Sequence, residues 1–284
     1  RDGPSVRVRA LPLAAGGHIA LVIDDVTEAR RVEAVRRDFV ANVSHELKTP
    51  VGALLLLAET VREAADDPTA VRHFAGRMTH EAARLARLVQ ELLDLSRLQA
   101  AEPPSPGGAL GCEAFAGEVS LRRVVLEAVD RTRLAADTNG ISVAVVADPA
   151  EAADLLVRGD EEQLVTAVAN LLDNAITYSP SGTRVVVGLR DAGNDLEISV
   201  ADEGIGIPAR DLERVFERFY RVDPARSRVT GGTGLGLAIV KHVASNHGGT
   251  VAVWSAEGVG STFTLRLPPR PVVDRQPAGE GDRR

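Results

Sequence analysis

Arg36 to Val61 reads RRDFVANVSHELKTPVGALLLLAETV. Taken back to Val32, its apolar residues Val32, Val35, Phe39, Val43, Leu47, Val51, Leu54, Ala58 and Val61 recur every three or four positions, the period of one helical stripe. Asp66-Asp67-Pro68 ends this stripe, and a second follows through Phe74, Met78, Ala82, Leu85, Leu88, Leu92, Leu95 and Leu98. Two such arms with a short connection predict an antiparallel helical hairpin. Each arm, about 30 residues and roughly 45 Å, is long for a globular helix. Arms of that length cover their stripes best by pairing with a second copy, so a homodimer with a four-helix bundle is expected, its contact faces carrying Phe39, Val43, Leu47, Leu88, Leu92 and Leu95.

His45 does not belong to the stripe. It stands two residues from both Val43 and Leu47, about 200° around the helix from each, so it is expected to face solvent with Asn42 and Thr49 beside it. Pro50 removes a helical hydrogen bond directly after this polar patch, where a kink is expected.

Outward from the hairpin the period changes. Upstream, Val6, Val8 and Ala10 alternate with arginines, Gly16-Gly17 marks a turn, and His18 to Val22 opens a second apolar run: two short strands. Downstream, EPPSPGGALGCEAFAG (Glu102 to Gly117) concentrates Pro and Gly without a period and reads as a linker. Beyond it, Leu121 to Asp137 and Glu161 to Ile176 predict helices. Ile141 to Val146, Val185 to Leu189, Leu196 to Val200, Thr250 to Trp254 and Thr262 to Leu267 predict strands, two of them a hairpin across Asp191 to Asp195. That mixture implies an α/β sandwich with helices over one face of a mixed sheet, and an α+β chain overall. The tail from Pro268 is polar and is expected to be disordered.

Composition excludes several classes. Of 284 residues, Gly and Pro supply 26 and 15, too few for a collagen-like or wholly disordered chain. With 33 basic and 40 acidic residues the net charge is -7, which argues against a strongly basic nucleic-acid binder, while 44% apolar residues suffice for cores. The longest apolar run in a helical context, Val51 to Ala58, falls far short of the roughly 20 residues needed to cross a bilayer. Cys112 is the single cysteine, so no intrachain disulfide forms and a reducing compartment is the simpler expectation. Residue 1 is Arg rather than Met, which suggests a longer precursor, and the lack of a span within this sequence does not exclude one upstream.

FVANVSHELKTP (Phe39 to Pro50) resembles the H box of two-component sensor histidine kinases. The resemblance gives His45 the phosphoryl group, which suits a neutral imidazole nitrogen as nucleophile near neutral pH. It makes Glu46 the partner that takes the imidazole proton, and Thr49 the residue that places water to dephosphorylate the response regulator. A plain surface charge at Glu46 and a helix-breaking prelude to Pro50 at Thr49 are the bland alternatives. DEEQLVTAVANLLDNAITYSP (Asp160 to Pro180) resembles the family's N box: Asn170 is implied as the Mg²⁺ ligand, Asn174 lies against the phosphates, and Tyr178 joins the nucleotide set. DEGIGIP (Asp202 to Pro208) resembles the G1 box, implying that Asp202 accepts from the adenine amine while Gly204 and Gly206 admit the nucleotide. FERFYRVD (Phe216 to Asp223) resembles the F box, with Phe216 and Phe219 either hinging a mobile cover or simply packing in the core, and Arg218 and Arg221, the latter preferred, as phosphate contacts.

DPARSRVTGGTGLGLAIVKHV (Asp223 to Val243) resembles the G2 box, a lid in which Thr230, Gly232, Thr233, Gly234, Leu235 and Gly236 close over the triphosphate. Neither a Walker A loop nor a Rossmann fingerprint is present. Thr177 departs from the family's usual basic residue, for which Lys241 or Arg221 could compensate. Within the family the chain is most similar to phosphate-responsive sensor kinases of actinobacteria. The implied domains are 1–30, the end of a PAS-like sensory domain or a private hairpin on the next helix; 31–100, dimerisation and histidine phosphotransfer; 101–117, linker; 118–269, ATP-binding catalytic domain; and 270–284, disordered tail.

The implied function is ATP- and Mg²⁺-dependent autophosphorylation of histidine, transfer to an aspartate of a cognate response regulator, and phosphatase activity on that regulator, in the cytoplasmic portion of a membrane-anchored bacterial sensor. No nucleic-acid partner is expected. The competing class is a non-catalytic dimeric scaffold, disfavoured because it would not require His45, Glu46, Asn170, Asp202 and the lid glycines together.

Overall fold

The computed structural model describes residues 3–12, 19–100, 117–147, 155–223 and 232–269. It forms two compact units, 1–86 and 87–284. Most of the expected linker (101–116), Cys112, Thr230 and the expected disordered tail (270–284) lie outside the described residues.

The first unit opens with β1 (Val6–Pro12) and β2 (Ile19–Asp25), antiparallel in the register Val6↔Asp25 to Pro12↔Ile19. Val8, Ile19, Leu21 and Ile23 remain exposed on this ribbon. Asp25 ends β2 and starts α1 (Thr27–Glu63): its Oδ1 accepts from Thr27 N at 2.9 Å and from the Thr27 hydroxyl at 2.6 Å. The helix thus begins before the apolar stripe at Val32 would place it, and it runs through Pro50 unbroken. Asp67 Oδ1 then accepts from Thr69 N at 2.9 Å and Ala70 N at 3.1 Å, satisfying first-turn donors of α2 (Pro68–Ala100), whose Pro68 occupies the position where a missing N–H costs nothing.

α2 continues into the second unit. Leu88 and Leu95 are buried at 3% and 0% within the single chain. Large apolar residues that stay exposed on the arms, among the described residues, include Val40, Val51, Leu55, Leu56, Val89 and Leu93.

The rest of the second unit comprises β3 (Glu118–Ser120), α3 (Leu121–Asn139), β4 (Ser142–Ala147), β5 (Leu156–Arg158), α4 (Glu161–Tyr178), β6 (Arg184–Asp191), β7 (Leu196–Ala201), α5 (Gly236–Asn246), β8 (Thr250–Ala256) and β9 (Gly260–Leu267). Two short 3₁₀ turns, Ala209–Asp211 and Arg214–Phe216, precede α5. β4, β6, β7, β9 and β8 form one sheet in that order, parallel between β4 and β6 and antiparallel elsewhere, while β3 and β5 pair separately. Alternation along β6 buries Val185, Val187 and Leu189, which with Ile198, Val200, Phe263 and Leu265 make the sheet side of the core. Leu164, Val168, Leu171 and Leu172 of α4 and Ile239 and Val243 of α5 make the helix side. Each such side chain contributes about 1.5–3 kcal/mol. Across the sheet, Arg190 and Arg266 close on Glu197, with Nε to carboxylate distances of 2.7 and 2.9 Å, and hold its carboxyl below the usual range.

Candidate active site

In the first unit the site is one turn of α1. Val43 and Leu47 are half-buried, whereas Asn42, His45 and Thr49 are exposed together, as a histidine off the stripe should be. The Thr49 hydroxyl donates to the His45 carbonyl at 3.2 Å, and Pro50, itself buried, cannot donate to the carbonyl of Glu46. Glu46 turns toward α2, where Arg84 Nη2 lies 3.5 Å from its Oε2. His45 is therefore available to an incoming electrophile, with a carboxylate one residue away.

In the second unit the site begins on α4. Asp160 caps this helix by accepting from Gln163 N at 3.1 Å. Burial of Leu164, Val168, Leu171 and Ala175 turns Asn170 and Asn174 to a half-buried face. Asn170 Nδ2 donates to the Thr166 carbonyl at 2.9 Å, so the amide oxygen faces the start of α5, where a Cβ on Gly236 would stand 2.7 Å from it. A helical asparagine with its NH₂ tied back and its oxygen presented at the start of a glycine-led helix fits a hard cation and the phosphates it would accompany.

At the far end of the α4 helix, the Tyr178 carbonyl accepts from Ile205 N at 3.3 Å. Its hydroxyl would lie 3.3 Å from a Cβ on Gly232, placing Tyr178 beside both the Asp202 loop and the entry to α5. Asp202 Oδ1 accepts from Gly204 N at 2.8 Å and Ser261 N at 3.1 Å. Burial nonetheless pushes the Asp202 carboxyl above its usual range, these two N–H groups opposing it. Gly206 has φ +71°, and a Cβ there would come within 2.0 Å of the Ala256 carbonyl, so only glycine fits.

Phe219 has φ 63°, uncommon for a bulky residue, and its N–H donates to the Gly234 carbonyl at 2.8 Å. Phe216 packs edge-to-face on Phe263, ring centroids 6.3 Å apart. Thr233 is buried, its hydroxyl donating to the Glu91 carboxylate while Oγ1 accepts from Leu235 N at 3.3 Å, which turns the chain into α5. Glu91 is pushed up to about 7 chiefly by burial. Arg221 is half-buried and Leu235 fully so.

Asn170, Asn174, Tyr178, Asp202, Gly204, Gly206, Gly232, Gly234 and Gly236 thus lie along one connected set of elements in this unit. Lys241 does not join them: it is exposed, about 140° around α5 from Gly236, whose face meets Asn170. Three supporting residues carry no helical or strand period that would single them out: Arg84, Glu91 and His247. His247 is buried, accepts from Asp160 N at Nε2 (3.0 Å) and donates from Nδ1 to the Val243 carbonyl (2.8 Å), tying the end of α5 to the cap of α4. The adjoining Gly248-Gly249 was the available signal.

Residues 35–101 match the His Kinase A (phospho-acceptor) domain, and residues 159–271 match the family described as histidine kinase-, DNA gyrase B-, and HSP90-like ATPase. An outward histidine on a helical hairpin, joined in one chain to that ATPase fold, defines a protein histidine kinase of two-component signalling, and the chain belongs to the sensor histidine kinase family. It is 53% identical over 273 residues to the sensor-like histidine kinase SenX3 of Mycolicibacterium smegmatis, an overlap of 95% of this chain and 68% of that one. To SenX3 of Mycobacterium tuberculosis it is 54% identical over 246 residues, 87% of this chain and 57% of the relative. The fold is shared with the histidine kinase ThkA solved in complex with the response regulator protein TrrA: TM-score 0.62, 22% identity, covering 93% of this chain and 75% of that one.

Proposed function

We propose that residues 118–269 bind ATP with Mg²⁺ and that the γ-phosphoryl passes to His45. Asn170 would hold the ion through its amide oxygen, Asp202 would accept from the adenine amine through Oδ2, and Asn174, Tyr178 and the N–H groups leading into α5 would line the phosphates. The ion neutralises charge on the phosphate oxygens when bound. The unprotonated imidazole nitrogen of His45 attacks phosphorus, a P–N bond forms as the bond to the β-phosphate oxygen breaks, ADP leaves, and Glu46 takes the imidazole proton. The phosphoryl group then moves to a regulator aspartate, after which Thr49 positions water for its removal.

The observation that carries this reading is the Asn170 amide, tied back at Nδ2 and directed by its oxygen at Gly236. Calorimetry tests it: Asn170→Ala should retain ATP binding without magnesium and lose the gain that magnesium confers. An undiminished magnesium effect would remove Asn170 from the metal site.

Homodimerisation through the hairpin belongs to the same proposal, supported by exposed Val51, Leu55 and Leu56 on α1. The exposed apolar residues of β1 and β2 support reading residues 1–30 as part of a larger sensory sheet. Among the described residues no helix is long and apolar enough to cross a membrane.

A further inference from the structure

Arg84 is a charged residue in a position that packing would give to an apolar one. It lies four residues before buried Leu88 on the same face of α2 and is itself only 6% exposed. Nη1 donates to Glu81 Oε1 at 3.0 Å on its own helix, Nη2 reaches Glu46 Oε2 at 3.5 Å on α1, and Nε is buried with no partner. Desolvating a guanidinium is costly, and a well-packed apolar side chain of similar volume commonly serves stability as well or better. Holding the hairpin together therefore does not explain the residue type. What the arginine has that a methionine lacks is a rigid planar fork with fixed donor directions, one arm anchored on Glu81 and the other on the carboxylate next to His45.

We propose that Arg84 is a positioning residue for autophosphorylation, fixing the carboxylate of Glu46, the residue that follows His45. The inference rests on the reading that Glu46 takes the imidazole proton. Arg84 transfers nothing itself, since a guanidinium stays protonated throughout. Bonding Oε2 restricts rotation of the carboxyl group, and the proton released as the P–N bond forms passes to Glu46.

The test uses the whole chain with magnesium and ATP, measuring initial rates of His45 labelling against ATP concentration for Arg84→Met, Arg84→Lys, Glu46→Gln and the Arg84→Met/Glu46→Gln pair. Arg84→Met should lower kcat by about tenfold, part of the gain general acid–base catalysis supplies, with KM for ATP unchanged. Arg84→Lys should recover part of the loss, having the charge without the fork. The pair should be no slower than Glu46→Gln alone, because both changes remove one function. Circular dichroism checks folding, and Arg84→Gln replaces the methionine variant should that one not fold. Native kcat in Arg84→Met or Arg84→Gln, with Glu46→Gln slow, overturns the role of Arg84 and leaves that of Glu46 standing. Native kcat in Glu46→Gln overturns both.

Discussion

Asp202 divides one carboxylate between two tasks. Oδ1 takes the N–H groups of Gly204 and Ser261, which fixes the loop, and in the proposed site Oδ2 would accept from the adenine amine. Asp202→Asn should cost roughly 1.5–3 kcal/mol of ATP affinity, a charge-assisted hydrogen bond being replaced by a neutral one. Because burial raises this carboxyl, acidification should weaken ATP binding at a higher pH than its ordinary value of 3.8 would give. Titration calorimetry across pH checks both, and equal affinity in folded Asp202→Asn would remove the adenine role. At this scale His45 was legible, since a two-residue offset from an apolar stripe fixes its direction. Arg84 and His247 were not, because a helical pattern assigns charged and polar side chains to solvent, and only tertiary packing turns these two inward.

Among elements, α2 reaches the start of α5 through the polar contact of Glu91 with Thr233. Glu91 is raised from 4.5 to about 7, so the stability it contributes is full below pH 4.5 and is lost as pH rises through about 7. Glu91→Gln stays neutral and keeps a hydrogen-bond partner for Thr233. Its melting temperature relative to the native chain should therefore rise between pH 5 and pH 8, and a difference independent of pH would contradict a buried, titrating Glu91. The long elements were legible from their periods: both helical arms, the five-stranded sheet, and the hairpin between β6 and β7 stand where alternation places them. β3 and β5 were not, because three residues are too few to display a period of two. The start of α1 was missed for a related reason: Asp25 and Thr27 begin the helix by local hydrogen bonds five residues before any apolar stripe appears.

For the whole molecule, the exposed Val51, Leu55 and Leu56 on α1 favour a second copy on the hairpin. Light scattering should give twice 30.0 kDa, and Leu55→Glu/Leu56→Glu should shift the mass toward the monomer; a native chain monomeric at all concentrations would contradict the dimer. The joining of hairpin and sandwich into one phosphotransfer machine is the central claim. It is tested most directly by incubating the native chain and His45→Gln with magnesium and γ-labelled ATP. The native chain should acquire one acid-labile, alkali-stable label per subunit at His45, and His45→Gln should acquire none while still binding ATP. Label persisting in His45→Gln, or a native chain that binds ATP and remains unlabelled, would contradict the claim.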